Sequence, residues 1–435
     1  MGDISNFFDA KTIAVIGASH DEKKVGFAVF KNLLSSNKKI FPVNPNANEI
    51  LRRKTYKDIF EIPYELDLIV IAVPAKLVPQ ILQQAQRKKV KSAIILSAGF
   101  SEIGNSKLED EIKYLANKAN ITILGPNSYG IIDTNQKLNT TYFSQEFKNS
   151  QKGNITFISQ SGAIGSAILD TDIKLSNFVS IGNSTQLDFT NFIKYFSDDK
   201  NTKIITLYIE SLKPNKGRQF IDACKKCKKP IIALKSGKSK EGQKAAKSHT
   251  AALASESGVY SGILKQAGII EVDSIKQLFD VAKILERYDK LGNKAAIITN
   301  AGGLGVLTTD ACEENKIIIP QLKDSTINQL NKILPPNWSH NNPIDLIGNA
   351  SAQDYEKTIQ ILEKENFDFF IILLTPQKMT EPLKTAQTLL KTKKPIFACF
   401  LGDKQITDAK EFIDKYEIIN FDDPKQMCDT IGKLT

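Results

Sequence analysis

The sequence predicts an α/β protein made of several doubly wound domains, each with a largely parallel sheet. Three observations lead there. Apolar, β-branched runs of strand length recur along the whole chain, each is followed by a turn of Gly, Ser or Pro, and each turn runs into a helical pattern. Strands that are apolar throughout, rather than alternating, belong to sheets buried on both faces, and helices between them make such sheets parallel. In open sheets of this kind ligands bind outside the carboxyl ends of the strands. A chain of 435 residues holds about two to four domains of ordinary size.

In the first third the apolar runs are residues 12–16, 40–43, 68–73, 93–96 and 121–124. Their carboxyl ends carry Gly17-Ala18-Ser19 with Lys24 and Gly26 downstream, Asn44-Pro45, Val73-Pro74, Ser97-Ala98-Gly99-Phe100 and Gly125-Pro126-Asn127-Ser128. The first turn is not the G-x-G-x-x-G of dinucleotide binding. The second strand ends in Asn44-Pro45 rather than in the acid that holds a ribose hydroxyl. A nucleotide-bearing ligand other than NAD fits better. Gly17, Ser19 and Lys24 suit its phosphates at a helix N-terminus, and they equally suit a plain tight turn with a surface lysine. His20 is a turn residue near that phosphate position.

A second block follows the polar stretch 147–153, with apolar runs at 155–158, 178–181, 204–209 and 230–234. The first run leads into Ser159-Gln160-Ser161-Gly162-Ala163, where small residues before a helix leave backbone N–H groups to grip an anion. The stretch 236–254 ends around His249, one of three histidines in the chain. Its neighbours Ala245, Ala246, Ser248, Thr250, Ala251 and Ala252 are small or hydroxylated, which leaves room for a tetrahedral group. A neutral imidazole, with an ordinary pKa of about 6.5, attacks a phosphoryl group without a separate base. A helix-cap histidine among alanines is the alternative. Glu210 closes the run 204–209 on the same sheet edge, where a carboxylate can accept from imidazole Nδ1–H and present Nε2; otherwise it is a strand-end surface acid. Cys224 and Cys227 form C-x-x-C inside a polar helical segment with no second pair, so neither zinc nor redox chemistry is expected of them.

The third block begins near residue 291, after a helical pattern over 274–288. Residues 295–305 are strand plus glycine-rich turn a third time, with Asp310 one helical face later. Further strands are expected at 317–319, 369–374 and 396–401, with His340 a solvated loop residue between them.

Hydrophobic residues at 41% and charged residues at 24% are those of a water-soluble globular protein. The net charge of +10 lies mostly in lysines on helix faces. It favours anionic ligands such as nucleotides, but no aromatic residues interleave with the basic ones as they do on single-stranded nucleic acid, so no nucleic-acid partner is expected. Five scattered cysteines do not make a disulfide framework. With no secretory leader, no myristoylation pattern and no run near the ~20 apolar residues of a membrane span, a cytoplasmic protein without membrane contact is expected.

With all three blocks in view, the chain resembles the α subunit of ADP-forming (NDP-forming) acyl-CoA synthetases of the acetate–CoA ligase type, relatives of succinyl-CoA synthetase. The resemblance covers nearly the whole chain. It rests on G-A-S with a downstream K-x-G (17–26), P-V-N-P (42–45), S-A-G-F (97–100), G-P-N-S-x-G (125–130), S-Q-S-G-A (159–163), S-H-T (248–250), T-N-A-G-G (299–303) and N-P-x-D (342–345), in family order. It implies a Rossmann-like CoA-binding domain over 1–130 and two flavodoxin-like ligase domains of the succinyl-CoA-synthetase type over 150–288 and 291–435. It places CoA on Gly17, Ala18, Ser19, Lys24, Asn44, Val73, Pro74, Ser97, Ala98, Gly99, Asn127 and Ser128. It places the phosphohistidine at His249 with Glu210 as partner carboxylate, and the phosphate on Ser161, Gly162 and Ala163. Ser128 stands where several relatives have cysteine, and Ala251 follows Ser-His-Thr where glycine is usual. Relatives bind ADP or ATP and Mg²⁺ on an ATP-grasp module. Residues 402–435 only finish the third domain, so that module is expected on a separate β chain, in an α2β2 assembly. A CoA-binding regulatory or scaffold protein, related to protein acetyltransferases that carry the same domains, is the alternative reading.

Overall fold

The computed structural model describes residues 3–143, 152–171, 173–244 and 257–435. They fall into two compact units, residues 1–282 and 283–435. Throughout, parallel strands alternate with helices, as expected of an α/β chain.

The first unit holds two sheets. In the first, β1 (Thr12–Ile16), β2 (Lys39–Val43), β5 (Leu68–Ile71), β6 (Ser92–Ile95) and β7 (Thr122–Leu124) lie in the order β2-β1-β5-β6-β7, all parallel. A small antiparallel hairpin, β3 (Glu49–Ile50) with β4 (Arg53–Lys54), follows the second strand. Ile13, Ala14, Val15, Ile69 and Val70 are fully buried because helices cover both faces. The helix Val25–Leu33 buries Phe27, Val29, Phe30 and Leu33 on one side, and Val78–Arg87 buries Val78, Ile81, Leu82 and Ala85.

The second sheet comprises β8 (Ile131–Asp133), β9 (Leu138–Asn139), β10 (Ile155–Ser159), β11 (Leu175–Ser180), β12 (Ile204–Ile209), β13 (Ile231–Lys235) and β14 (Ile270–Val272). Its order is β14-β13-β12-β10-β11-β8-β9. The last five in sequence form the parallel part, and β8 runs antiparallel to β11. The chain thus leaves the first sheet at Leu124 and enters the second within seven residues. One continuous apolar core runs from Phe7, Ile13 and Val15 through Ile158 and Val179 to Phe192 and Phe196. The carboxyl edges of the two sheets are therefore joined by the short segment 125–130.

The second unit is a sheet in the order β16-β15-β17-β18-β19, built from β15 (Ala295–Thr299), β16 (Ile344–Asp345), β17 (Phe369–Leu374), β18 (Ile396–Phe400) and β19 (Ile419–Asn420), all parallel. Apolar clusters lie on both of its faces, one around Ile298, Phe370 and Trp338, the other around Ile297, Phe369 and Phe397. The strand expected at 317–319 is reduced to a single bridge between Ile318 and Lys294. Pro320 explains this: it has no N–H to extend the ladder. Cys224 lies in the helix Gly217–Lys226 and Cys227 at its end. Among the described residues no helix is long and apolar enough to cross a membrane.

Candidate active site

The first-sheet loops expected to hold CoA all stand on its carboxyl edge and are tied to one another. Gly17 adopts φ +89°, and a Cβ there would lie 2.5 Å from the Ala72 carbonyl oxygen, so only glycine lets the first turn pass this close to the third loop. The Asn44 amide donates to the Ala18 carbonyl at 2.8 Å. Ser19 Oγ accepts from the Asp21 N–H at 3.0 Å, which shapes the turn into the helix Val25–Leu33. Lys24 is the exposed N-cap residue of that helix. A cation at a helix N-terminus, where no acidic residue occupies the first turn, suits a phosphate. Ser97 is buried and its hydroxyl donates to the Val73 carbonyl; Pro74 and Ala98 are exposed beside it. The Asn127 N–H donates to the Ser97 carbonyl at 2.9 Å. Ser128 is fully buried, with Oγ donating to the Ser180 carbonyl at 2.6 Å and accepting from the Gly130 N–H at 2.9 Å. Its hydroxyl thus clips the first sheet's loop to the second sheet.

Sequence reasoning passed over the group that organises this junction. Asn183 lies in the loop after β11. Its amide donates to Glu102 at 2.6 Å and to Glu109 at 3.0 Å, and its carbonyl oxygen accepts from the Asn127 amide at 3.3 Å. Glu102 also accepts from the Gly99 and Phe100 N–H groups, at 2.5 and 3.1 Å. Burial alone would raise the Glu102 carboxyl, but the Asn183 amide and the two N–H donors outweigh it and hold it below its ordinary value. No local motif signals such a cluster; it exists only because the two sheet edges meet.

The expected phosphate cradle is a helix start. Ser161 is the N-cap of the helix Gly162–Leu169 and its Oγ accepts from the Ile164 N–H at 3.4 Å. The turn before it is closed by Ser159, whose Oγ accepts from the Ser161 N–H at 3.1 Å and donates to the Ser161 carbonyl at 2.7 Å. The first N–H groups of a helix have no intrahelical acceptor, so those of Gly162 and Ala163 provide an anion-binding end. Ala163 is exposed and Gly162 buried. Gly162 is buried because the Tyr129 ring lies against it: a Cβ would sit 1.7 Å from Tyr129 Cδ2.

Glu210 follows β12 directly and is half-buried. Gln160, inside the cradle turn, fixes it there: Gln160 Oε1 accepts from the N–H groups of Glu210 and Ser211 at 2.6 and 2.9 Å. On the neighbouring strand Lys235 is buried, with Nζ bonded to the Ser236 carbonyl and standing 4.5 Å from the centroid of the Tyr260 ring. Burial pushes the Lys235 ammonium below its ordinary value, while the charge of Glu210 pulls it up. The structure therefore brings Ser161, Gly162, Ala163 and Glu210 to one edge. His249, with Ser248 and Thr250, lies outside the described residues.

The same turn recurs in the second unit. Thr299 Oγ1 accepts from the Ala301 N–H at 3.0 Å and donates to its carbonyl at 3.1 Å. Asn300 Oδ1 accepts from the Thr375 N–H at 2.9 Å, as Gln160 accepts from Glu210. Asn342 of the N-P-x-D motif braces the strand beneath, donating to the Ala295 carbonyl at 2.9 Å and accepting from the Ile297 N–H at 3.0 Å.

Comparison with known proteins agrees with this organisation. Residues 11–134 match a CoA binding domain, residues 152–285 a succinyl-CoA ligase like flavodoxin domain, and residues 295–428 a ligase-CoA domain. The chain is 39% identical to the α subunit of acetate–CoA ligase [ADP-forming] II of Pyrococcus furiosus, covering 97% of this chain and 95% of that one. It is 45% identical to acetate–CoA ligase [ADP-forming] of Methanocaldococcus jannaschii over 79% of this chain, and the match spans 49% of that longer relative. Among solved structures, dinucleotide-forming acetyl-coenzyme A synthetase 1 of Ca. Korarchaeum cryptofilum, in complex with phosphate and ADP, superposes with a TM-score of 0.93 at 32% identity, covering 100% of this chain and 96% of that one.

Proposed function

Because this chain belongs to the ADP-forming acetate–CoA ligase family, we propose that it is the α subunit of an ADP-forming acyl-CoA synthetase, which converts acyl-CoA, ADP and phosphate to a carboxylic acid, CoA and ATP. The proposed domains are CoA binding over 1–130 and two ligase domains over 150–288 and 291–435. The observation that carries the reading is the segment 125–130. It ends the loop cluster suited to CoA and packs its Tyr129 ring on the first residue of the cradle helix. A thioester held by the first sheet is thereby delivered to a phosphate held by the second.

The proposed chemistry follows from that placement. A phosphate oxygen, held at the Ser161–Ala163 helix end, attacks the thioester carbonyl carbon; the C–S bond breaks, CoA leaves as the thiolate and acyl phosphate remains. The helix N-terminus supports the charge that develops. His249 Nε2 then attacks phosphorus, the acyl C–O bond stays intact and the carboxylate leaves. Glu210 accepts from Nδ1–H and so presents Nε2. An ADP β-phosphate oxygen finally takes the phosphoryl group and frees the imidazole. Each step is reversible and rests on positioning and charge neutralisation. ADP, with Mg²⁺ to neutralise its phosphates, is assigned to an ATP-grasp β subunit in an α2β2 complex; the α-subunit relatives support a separate partner.

Calorimetry on the full chain, followed by turnover with and without the β chain, tests this. CoA should bind and NADH should not, and ATP formation should require the partner. Binding of NADH without CoA, or full activity of the chain alone, would overturn it.

A further inference from the structure

The position of one aromatic ring bears on which acids are used, a question that composition and motifs leave open. Tyr129 directly follows Ser128, the residue whose hydroxyl clips the two sheets together. Its own N–H donates to Ser180 Oγ at 2.9 Å, so the backbone is fixed on both sides of the side chain. The ring then reaches the cradle: Cδ2, Cε2 and Cγ lie 1.7, 2.1 and 2.2 Å from where a Gly162 Cβ would stand. Behind it the ring packs on Tyr142, with centroids 4.5 Å apart and planes 31° apart, and on Phe143 at 5.6 Å. Phe143 in turn meets the buried Phe178 at 5.9 Å. Tyr129 is thus the half-buried front of an aromatic wall that cannot swing back without displacing the rings behind it.

We propose that Tyr129 bounds the acyl pocket and restricts this chain to short, unbranched acyl groups. The inference rests on the proposed reaction. There the thioester carbon must reach a phosphate held at Gly162 and Ala163, and the atoms of the acyl group beyond that carbon must lie beside the same helix start. That space adjoins the Tyr129 ring. On this proposal a short acyl group lies against the ring, whereas a branched or aryl group meets a ring that Tyr142 and Phe143 hold in place. This is also why position 162 is glycine: any side chain there would occupy the place of the ring.

The test is the activity of the full chain with its ATP-grasp partner on acetate, propionate, isobutyrate and phenylacetate, for wild type, Tyr129→Phe and Tyr129→Ala. Wild type and Tyr129→Phe should prefer acetate and propionate. Tyr129→Ala should shift the kcat/KM ratio of isobutyrate or phenylacetate to acetate upward by about 10- to 100-fold, the range that a hydrophobic pocket wall commands. Affinity for free CoA should not change. Should the alanine variant fail to fold, Tyr129→Leu keeps a packed core and should shift the ratio in the same direction. An equal loss on all four acids would reduce Tyr129 to a packing residue and overturn the proposal. So would a wild-type enzyme that takes phenylacetate as well as acetate. If the wild-type complex uses none of the acids and the chain binds no CoA, the proposed function itself fails, which is a different outcome.

Discussion

Adding one methyl group at Gly162 tests the junction between the two sheets. In Gly162→Ala the new carbon would stand 1.7 Å from Tyr129 Cδ2 and 2.1 Å from Cε2, whereas carbon atoms rest at about 3.5–4.0 Å. The ring must therefore retreat by roughly 2 Å. Tyr142 and Phe143 stand behind it, so the retreat disturbs a packed cluster. Overpacking of this kind costs about 1–3 kcal/mol, and the better helix propensity of alanine returns at most about 1 kcal/mol. A net loss of about 1–2 kcal/mol corresponds to a fall in Tm of roughly 2–3 °C for a unit of this size. Thermal and urea unfolding of the full chain read it directly. Truncating the ring should relieve the clash, so Gly162→Ala combined with Tyr129→Ala should lose less than the sum of the two single changes, by about 1 kcal/mol or more. A Gly162→Ala chain as stable as wild type, or strictly additive variants, would refute the contact between the 125–130 loop and the cradle helix.

Two further changes are informative. Glu210→Gln should slow phosphorylation of the chain by about 10- to 100-fold, as loss of an orienting carboxylate does, while leaving CoA affinity and Tm unchanged; rapid-quench labelling and calorimetry check it, and an unchanged phosphorylation rate would remove Glu210 from the mechanism. Asp67 links β1 and β5 through the Lys11 and Thr12 N–H groups and Lys91. Burial would raise its carboxyl, but those donors hold it at about 2, below the ordinary 3.8. Its folded pKa is depressed, so its contribution is full above about pH 4 and fades as pH falls through about 2. Asp67→Asn should therefore destabilise the chain at pH 7 and converge on wild type as pH falls below about 2, by urea unfolding; a difference that persists at the acid end would contradict this.

Much of the fold was legible because parallel strands buried on both faces must be apolar along their length, as in Leu68–Ile71 and Phe369–Leu374. The turns were legible for a related reason. Small residues such as Ser159 and Ser161 close a strand and cap a helix within three positions, and that local chemistry is written in consecutive letters. The expected strand at 317–319 failed on a local signal as well, Pro320, which follows the apolar run directly and stops its ladder at one bridge. The Asn183 hub and the Tyr129 wall were illegible for a different cause. Asn183 meets Glu102 and Glu109 across 81 and 74 residues of sequence, and Tyr129 meets Gly162 only because 125–130 crosses between sheets. Neither spacing has a periodic or motif signature. Lys235 is a similar case, since a lysine at a strand end is ordinarily solvated and here lies buried near Glu210.

The proposed relay through His249 is tested most directly by locating the phosphate. The complex of this chain with its ATP-grasp partner, incubated with ATP and Mg²⁺, should label this chain with a phosphate that is labile in acid and stable in alkali. Mass spectrometry at neutral pH should place it on His249, and His249→Ala should abolish both the label and net ATP formation while leaving CoA binding intact. Phosphate found on serine, or on the partner alone, or a His249→Ala complex that forms ATP at the wild-type rate, would contradict transfer through this histidine.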